Sequence, residues 1–89
     1  MVWFVGSPVK SMRKRMMELA GMLKEVKKGN RESLEELVAK FCIKVGVREE
    51  VANHYIDLFT KSKLLMFQHG QETWEYNEQV EVEIFGTKL

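Results

Sequence analysis

Cys42 is the only cysteine and Pro8 the only proline in this chain of 89 residues. A single thiol closes no internal disulfide, so the framework of many small secreted proteins is excluded and the cytoplasm is the expected compartment. One cysteine beside two histidines, His54 and His69, offers no set of three or four closely spaced zinc ligands, so no metal is expected. Long hydrophobic runs are missing as well. The longest near the start, Val2-Trp3-Phe4-Val5, is too short for a signal-peptide core or a membrane span, and no membrane association is expected. Catalytic signatures are equally scarce: there is no nucleophile elbow, no phosphate loop with its lysine, no HExxH and no kinase-like set. The glutamates are scattered and read as solvent-facing. Neither an enzyme nor a cofactor is expected.

What is present describes a folding chain. With 45% hydrophobic and 30% charged residues, it has the composition of a globular domain and not of a disordered segment. A chain this short holds one hydrophobic core, so residues 1–89 are expected to form a single domain. The net charge of +1 conceals a polarity. Residues 1–48 hold 11 Lys and Arg against 5 Glu, and residues 49–89 hold 3 Lys against 8 acids. That asymmetry bears on partners more than the total does.

Along the chain, Val2–Val5 is a short β-prone run ended by Gly6. Ser7-Pro8 reads as a helix start, because proline at the first helical position loses no hydrogen bond. Met12, Met16, Leu19, Leu23 and Val26 then recur at helical spacing, and Lys27-Lys28-Gly29 is expected to close that helix. Ser33-Leu34-Glu35-Glu36 carries a capping-box pattern with Ser33 as the cap. Leu34, Leu37, Val38, Phe41, Cys42 and Val45 share one face, Glu36 and Lys40 are an expected i,i+4 pair, and Gly46 ends the helix. A third helix is expected over Glu49–Lys61, with Ala52, Tyr55, Ile56 and Phe59 inward. Leu64–Gln68 and Thr73–Tyr76 alternate around His69-Gly70-Gln71-Glu72, which predicts a hairpin. Val80-Glu81-Val82-Glu83-Ile84 alternates perfectly and predicts one more strand. The fold class expected is α+β.

Residues 33–65 resemble the helix-turn-helix core of winged-helix DNA-binding domains, and the resemblance extends over roughly residues 9–85. It is carried by the capped helix Ser33–Val45, the turn Gly46-Val47, the helix with Ala52, Tyr55 and Phe59 inward, and Leu64-Leu65 leading into a hairpin. It implies a winged helix-turn-helix: three helices, a C-terminal β-hairpin wing and a short N-terminal strand. It also implies that the helix over 49–61 enters the major groove of double-stranded DNA, as in a transcription regulator acting as a homodimer. Carried over, Arg48, Asn53, His54 and Lys61 would face the duplex. An amide such as Asn53 can bond bidentately to adenine, while Arg48 and Lys61 would take phosphates. Glu49, Glu50 and Asp57 on the same face oppose a polyanion, and the expected wing tip His69–Glu72 holds no Lys or Arg. The cations cluster instead in the first helix, with Lys24, Lys27 and Lys28 beyond Lys10, Arg13, Lys14 and Arg15, and those four read either as a phosphate-binding edge or as a solvated face that balances the acidic C-terminal half. Either that helix grips DNA, or the shape serves a protein partner that meets an acidic face and a basic first helix.

Several residues carry a plainer reading. Met12 and Met16 are expected in the core, whereas Met17 and Met22, off the main stripe, are candidates for an interface. Cys42, between Phe41 and Ile43, reads as a small core residue and not as a reactive thiol. Trp74 and Tyr76, two apart on one strand face, are expected to cover the core and not to stack on bases. Trp3 and Phe4 would point to opposite faces of a strand.

Overall fold

The computed structural model describes residues 7–89, with side chains from Met12 onward. The expected strand at Val2–Val5, with Trp3 and Phe4, lies outside the described residues. The architecture is α+β, with four α-helices and a three-stranded antiparallel sheet among the described residues. The order is α1 (Ser7–Val26), β1 (Lys28–Asn30), α2 (Arg31–Val45), α3 (Glu49–Lys61), β2 (Leu65–Gln68), β3 (Thr73–Tyr76), a 3₁₀ turn (Glu78–Val80) and α4 (Glu81–Phe85). The sheet order is β1-β3-β2, with Gly29 opposite Trp74 and Phe67 opposite Trp74 on the other side.

One core joins all layers. Leu19 and Leu23 of α1, Leu34, Val38 and Phe41 of α2, and Ala52, Tyr55 and Phe59 of α3 are buried with Leu64, Leu65, Trp74, Tyr76 and Phe85. The ring of Phe41 meets that of Tyr55 edge to face at 6.2 Å, which fixes α2 against α3. Phe59 and Phe85 make the same kind of contact at 6.3 Å and bring α4 onto α3. Trp74 and Tyr76 cover the core as expected. Gly46 ends α2 in the left-handed region at φ +72°, and Val47 packs partly buried beside it.

The segment between α1 and α2 departs from the expected helix closure at Lys27-Lys28-Gly29. Lys27, not glycine, takes the left-handed φ of +73°, and Lys28 and Gly29 continue as β1. Gly29 meets a different demand. A Cβ there would stand 2.3 Å from Ser33 Oγ and 3.2 Å from Trp74 Nε1. The missing side chain lets the indole of Trp74 donate to the Asn30 carbonyl at 2.9 Å and to Ser33 Oγ at 3.2 Å. Ser33 is therefore not the cap. Asn30 caps α2 by accepting from the Ser33 backbone N–H at 2.8 Å, and the Ser33 hydroxyl donates back to the Asn30 carbonyl. The expected Glu36–Lys40 pair is absent from the ion pairs of the described residues, where Arg31 and Glu35 form an i,i+4 contact on α2 instead.

The methionine expectations change too. Met12 is 38% exposed and Val26 45% exposed, so both ends of the expected α1 stripe leave the core. Met17 and Met22 pack against the core alongside Met16.

The expected strand Val80–Ile84 is a correction. This segment is a 3₁₀ turn followed by α4, with the turn opened by the Asn77 side chain accepting from the Gln79 N–H. Its inward residues are Glu81 and Phe85, four apart as a helix requires, and Val82 points out at 51% exposure. Alternation of Val and Glu misled the period because one glutamate is an inside residue. Glu81 is completely buried and accepts from Tyr76 Oη at 2.5 Å, from Lys24 Nζ at 3.2 Å and from the Leu89 N–H at 3.3 Å. At the other end of α4, the Arg13 guanidinium donates to the Phe85 carbonyl. Arg13 and Lys24 lie eleven residues apart, three turns along one side of α1, so two cations of α1 pin both ends of a five-residue helix.

Candidate nucleic-acid interface

Helix α3 is held by Ala52, Tyr55 and Phe59, and this choice of inward residues decides what it offers outward. Glu49, Glu50, Asn53, His54, Asp57 and Lys61 are all exposed. Arg48 is the N-cap residue, with extended backbone at φ −77° and ψ 155°, and its side chain makes no capping bond. The helix therefore begins with an exposed guanidinium followed at once by Glu49 and Glu50. Those two carboxylates suit the positive end of the helix dipole, which gives them a structural role apart from any ligand. The side chains of Asn53 and His54 form no hydrogen bond among the described residues. Lys61 is engaged at 3.2 Å by Asp57, one turn earlier on the same face.

Beside this face runs a cleft of about 600 Å³ between α2, α3 and the hairpin. Leu34, Val38, Ile56 and Phe67 supply apolar lining, and Glu35, Glu49, Asn53 and Asp57 supply polar lining. Its one lining cation, Arg31, lies 3.7 Å from Glu35 and also donates to the Gln71 carbonyl at 3.4 Å. The balance in the cleft is acidic.

The first-helix cations divide into separate groups. Arg13 donates to the Phe85 carbonyl at the end of α4, and Lys24 donates to Glu81 and to the Leu89 carbonyl at 2.8 Å. Lys14 lines a shallow groove on the outward side of α1 with Met17, Glu18, Gly21, Met22 and Glu25, bordered by Lys44. Arg15 is half-exposed. The Lys10 side chain lies outside the described residues; of the other three, Arg13 reaches the end of α4, Lys14 borders the outer groove and Arg15 lies at the surface.

Titration follows the same geometry. Burial by itself would raise the Glu81 carboxyl, but the bonds from Tyr76, Lys24 and Leu89 outweigh it and hold Glu81 below the usual carboxylate range. Burial, then the hydrogen bond to Glu81, pushes the Tyr76 phenol well above its ordinary value. Lys44 is raised by its hydrogen bond to Glu18 at 2.7 Å. Partial burial, with Glu49 adding, raises the Cys42 thiol, which keeps it protonated and poorly nucleophilic. Among the described residues no group of three or more His, Cys, Asp and Glu is placed to hold a metal, and no helix is long and apolar enough to cross a membrane.

Sequence reasoning missed Glu81 and Asn30. Asn30 had a detectable signal, an Asx residue three positions before a serine at a helix start. Glu81 had none within its own segment, since its partners lie on α1, β3 and the last residue. Comparison with known proteins returned no matching family model, no matching curated protein and no matching solved structure.

Proposed function

We propose that this chain is a winged-helix module that binds double-stranded DNA through α3, with transcription regulation as its biological role. The fold part of the reading is supported by element order: α2, a glycine turn, α3, then a hairpin directly after it. The short strand between α1 and α2 completes the sheet on the hairpin's inner strand, which sets the hairpin rigidly beside α3. The observation that carries the functional part is the outward face of α3. Asn53 and His54 stand exposed at its middle, with Arg48 exposed at its start. An amide and an imidazole with unused bonding capacity on an exposed helix suit base edges in a major groove. Arg48, Lys61 and Arg15 then serve phosphates, Lys61 after exchanging Asp57 for the backbone.

A second reading is favoured by the cleft. Its apolar lining of Leu34, Val38, Ile56 and Phe67, bordered by Glu35, Glu49 and Asp57, suits a basic protein segment. The two readings predict opposite signs for one variant. In Glu49→Gln/Asp57→Asn, removing two negative charges and releasing Lys61 strengthens duplex binding and weakens binding of a basic partner. Fluorescence anisotropy against random and selected duplexes, at low and at physiological salt, tests the leading reading. Binding that weakens steeply with salt is expected, with Asn53→Ala costing about 1–3 kcal/mol on the preferred site and little on random DNA. Absence of duplex binding at low salt refutes it.

A further inference from the structure

We infer that the outward face of α1 is a contact between two copies of this chain, paired antiparallel about a two-fold axis. The starting observation is Gly21. It sits inside a 20-residue helix, where glycine is disfavoured relative to almost any other residue, and a Cβ built there meets nothing within 4 Å among the described residues. Packing among the described residues therefore gives no reason for the missing side chain. A closely approaching backbone from outside does.

The neighbours of Gly21 fit that approach. Lys14, Glu18, Gly21 and Glu25 follow each other at spacings of 4, 3 and 4, which is one straight stripe along the helix. Met17 and Met22 flank it, half-buried, with their adaptable side chains bordering the groove. The stripe reads as its own complement when reversed. Antiparallel pairing centred between residues 19 and 20 sets Lys14 level with Glu25 of the second copy, and Glu25 level with the second copy's Lys14. It sets Gly21 level with Glu18, so the bulkier residue fills the space that the glycine leaves. The two-fold makes each of these contacts twice.

Charge selects this register over its nearest rival. Centring the pair on Gly21 itself sets Lys14 level with position 28, beyond the end of α1 at Val26, so Lys14 meets no residue of the facing helix. In the favoured register the two Glu18 carboxylates come near the axis and would repel. Each already holds Lys44 of its own copy at 2.7 Å, which neutralises it in place. The ion pair between α1 and α2 thus has a role in the dimer that one copy alone does not require.

A contact of one helix face per copy falls below the ~1,200 Å² of a standard stable interface, so the dimer is weak and concentration-dependent. It goes beyond the DNA reading and does not need it. It does withdraw Lys14 from phosphate contact, and it leaves α3 of each copy unobstructed by using the opposite side of α1 from the core.

Sedimentation equilibrium of the full chain, without nucleic acid, from low-micromolar to sub-millimolar concentration, tests the inference. Reversible dimerisation is expected. Lys14→Glu and Glu25→Lys should each weaken it by about tenfold or more, because each change turns two attractions into repulsions. The double variant Lys14→Glu/Glu25→Lys should recover the dimer to within about threefold, since the pairs re-form with signs exchanged. Gly21→Leu should weaken dimerisation while its thermal midpoint, read at a concentration where both proteins are monomeric, does not fall. A wild-type chain that stays monomeric throughout overturns the inference. So does a dimer indifferent to Gly21→Leu, or charge reversals that fail to rescue each other. None of these results bears on duplex binding by α3, which is measured separately.

Discussion

Replacing Lys24 with methionine removes the one cation among the described residues that reaches the buried Glu81 carboxylate, while keeping most of the aliphatic stem. Lys24 Nζ lies 3.2 Å from Glu81, whose side chain has no exposure, whereas the lysine side chain keeps 25%. Breaking a fully buried pair by deleting one partner costs ~3–5 kcal/mol, because the remaining charge is left without compensation. Here the lysine is partly hydrated, and the carboxylate keeps its bonds from Tyr76 Oη and the Leu89 N–H. A loss of about 2–3 kcal/mol follows for Lys24→Met. For a domain of this size that corresponds to a fall in Tm of roughly 10–20 °C. Glu81→Gln retains an acceptor for Tyr76 without the charge, so the double variant should cost less than the sum of the singles, with a coupling of about 1–2 kcal/mol.

The same residues set an acid limb. The folded-state pKa of Glu81 lies below its ordinary value of 4.5, so unfolding takes up a proton as pH falls between those two values. The stabilisation is present above pH 4.5 and drains away as the pH descends through the folded-state pKa. Urea denaturation of wild type, Lys24→Met and Glu81→Gln at neutral and acid pH reads both effects. A Lys24→Met chain within about 0.5 kcal/mol of wild type would refute the reasoning. An acid limb equally steep in Glu81→Gln would do the same.

Phe41→Ala opens a cavity where α2 meets the edge of Tyr55 and should cost ~3–5 kcal/mol by chemical denaturation. Gly29→Ala forces a methyl to within 2.3 Å of Ser33 Oγ, so it should cost about 1–3 kcal/mol and shift the fluorescence of Trp74, whose indole bonds to that hydroxyl. Asn30→Ala should cost about 1 kcal/mol, and Asn30→Gly less, if the side-chain cap of α2 is what matters. Native Cys42 should react with a thiol reagent several-fold more slowly than in the denatured chain, and Cys42→Ala should leave binding unchanged; fast native labelling would contradict the protonated, half-buried thiol.

The helices were legible in the sequence where their stabilising partners are local. Helix α3 runs over Glu49–Lys61 as its apolar spacing predicts, because its one inward stripe packs against a neighbour on the same short connection. The hairpin strand Thr73–Tyr76 was equally plain, with glycine in the turn and alternating burial. Where the determining contact is distant, the pattern failed. Three residues, Lys28–Asn30, form a strand only because β3 offers an edge more than forty positions later. A segment so short has no period of its own to read, and its lysine–glycine composition resembles a helix stop. Val80–Ile84 failed in the opposite way: it has a clear period, and the period is misleading. The alternation assumes that glutamate faces water, yet Lys24 and Tyr76 make the interior acceptable to Glu81. Once Glu81 counts as an inside residue, the spacing to Phe85 is helical.

The candidate site shows the same division between local and distant causes. That Asn53 and His54 face outward follows from Ala52, Tyr55 and Phe59 facing inward, so their exposure could be read from spacing alone. The value of each cation could not. A count over 10–28 suggests a uniform basic face, but a lysine or arginine is available to a ligand only in so far as the fold has not already given it an acceptor. Arg13 has the Phe85 carbonyl, Lys24 has Glu81 and the Leu89 carbonyl, and Lys44 has Glu18. Each of these acceptors lies at least 26 positions from its cation. Charge asymmetry between the two halves of the chain is therefore in part an internal arrangement, the basic α1 binding the acidic C-terminal segment. Among the described residues, the cations without an ion pair or a side-chain hydrogen bond include Lys14 and Arg15 on α1 and Lys27 and Lys28 at β1, with Arg48 at the start of α3. In the proposed reading, nonspecific attraction to a duplex rests on these cations, and selection of sequence on the groups at the middle of α3.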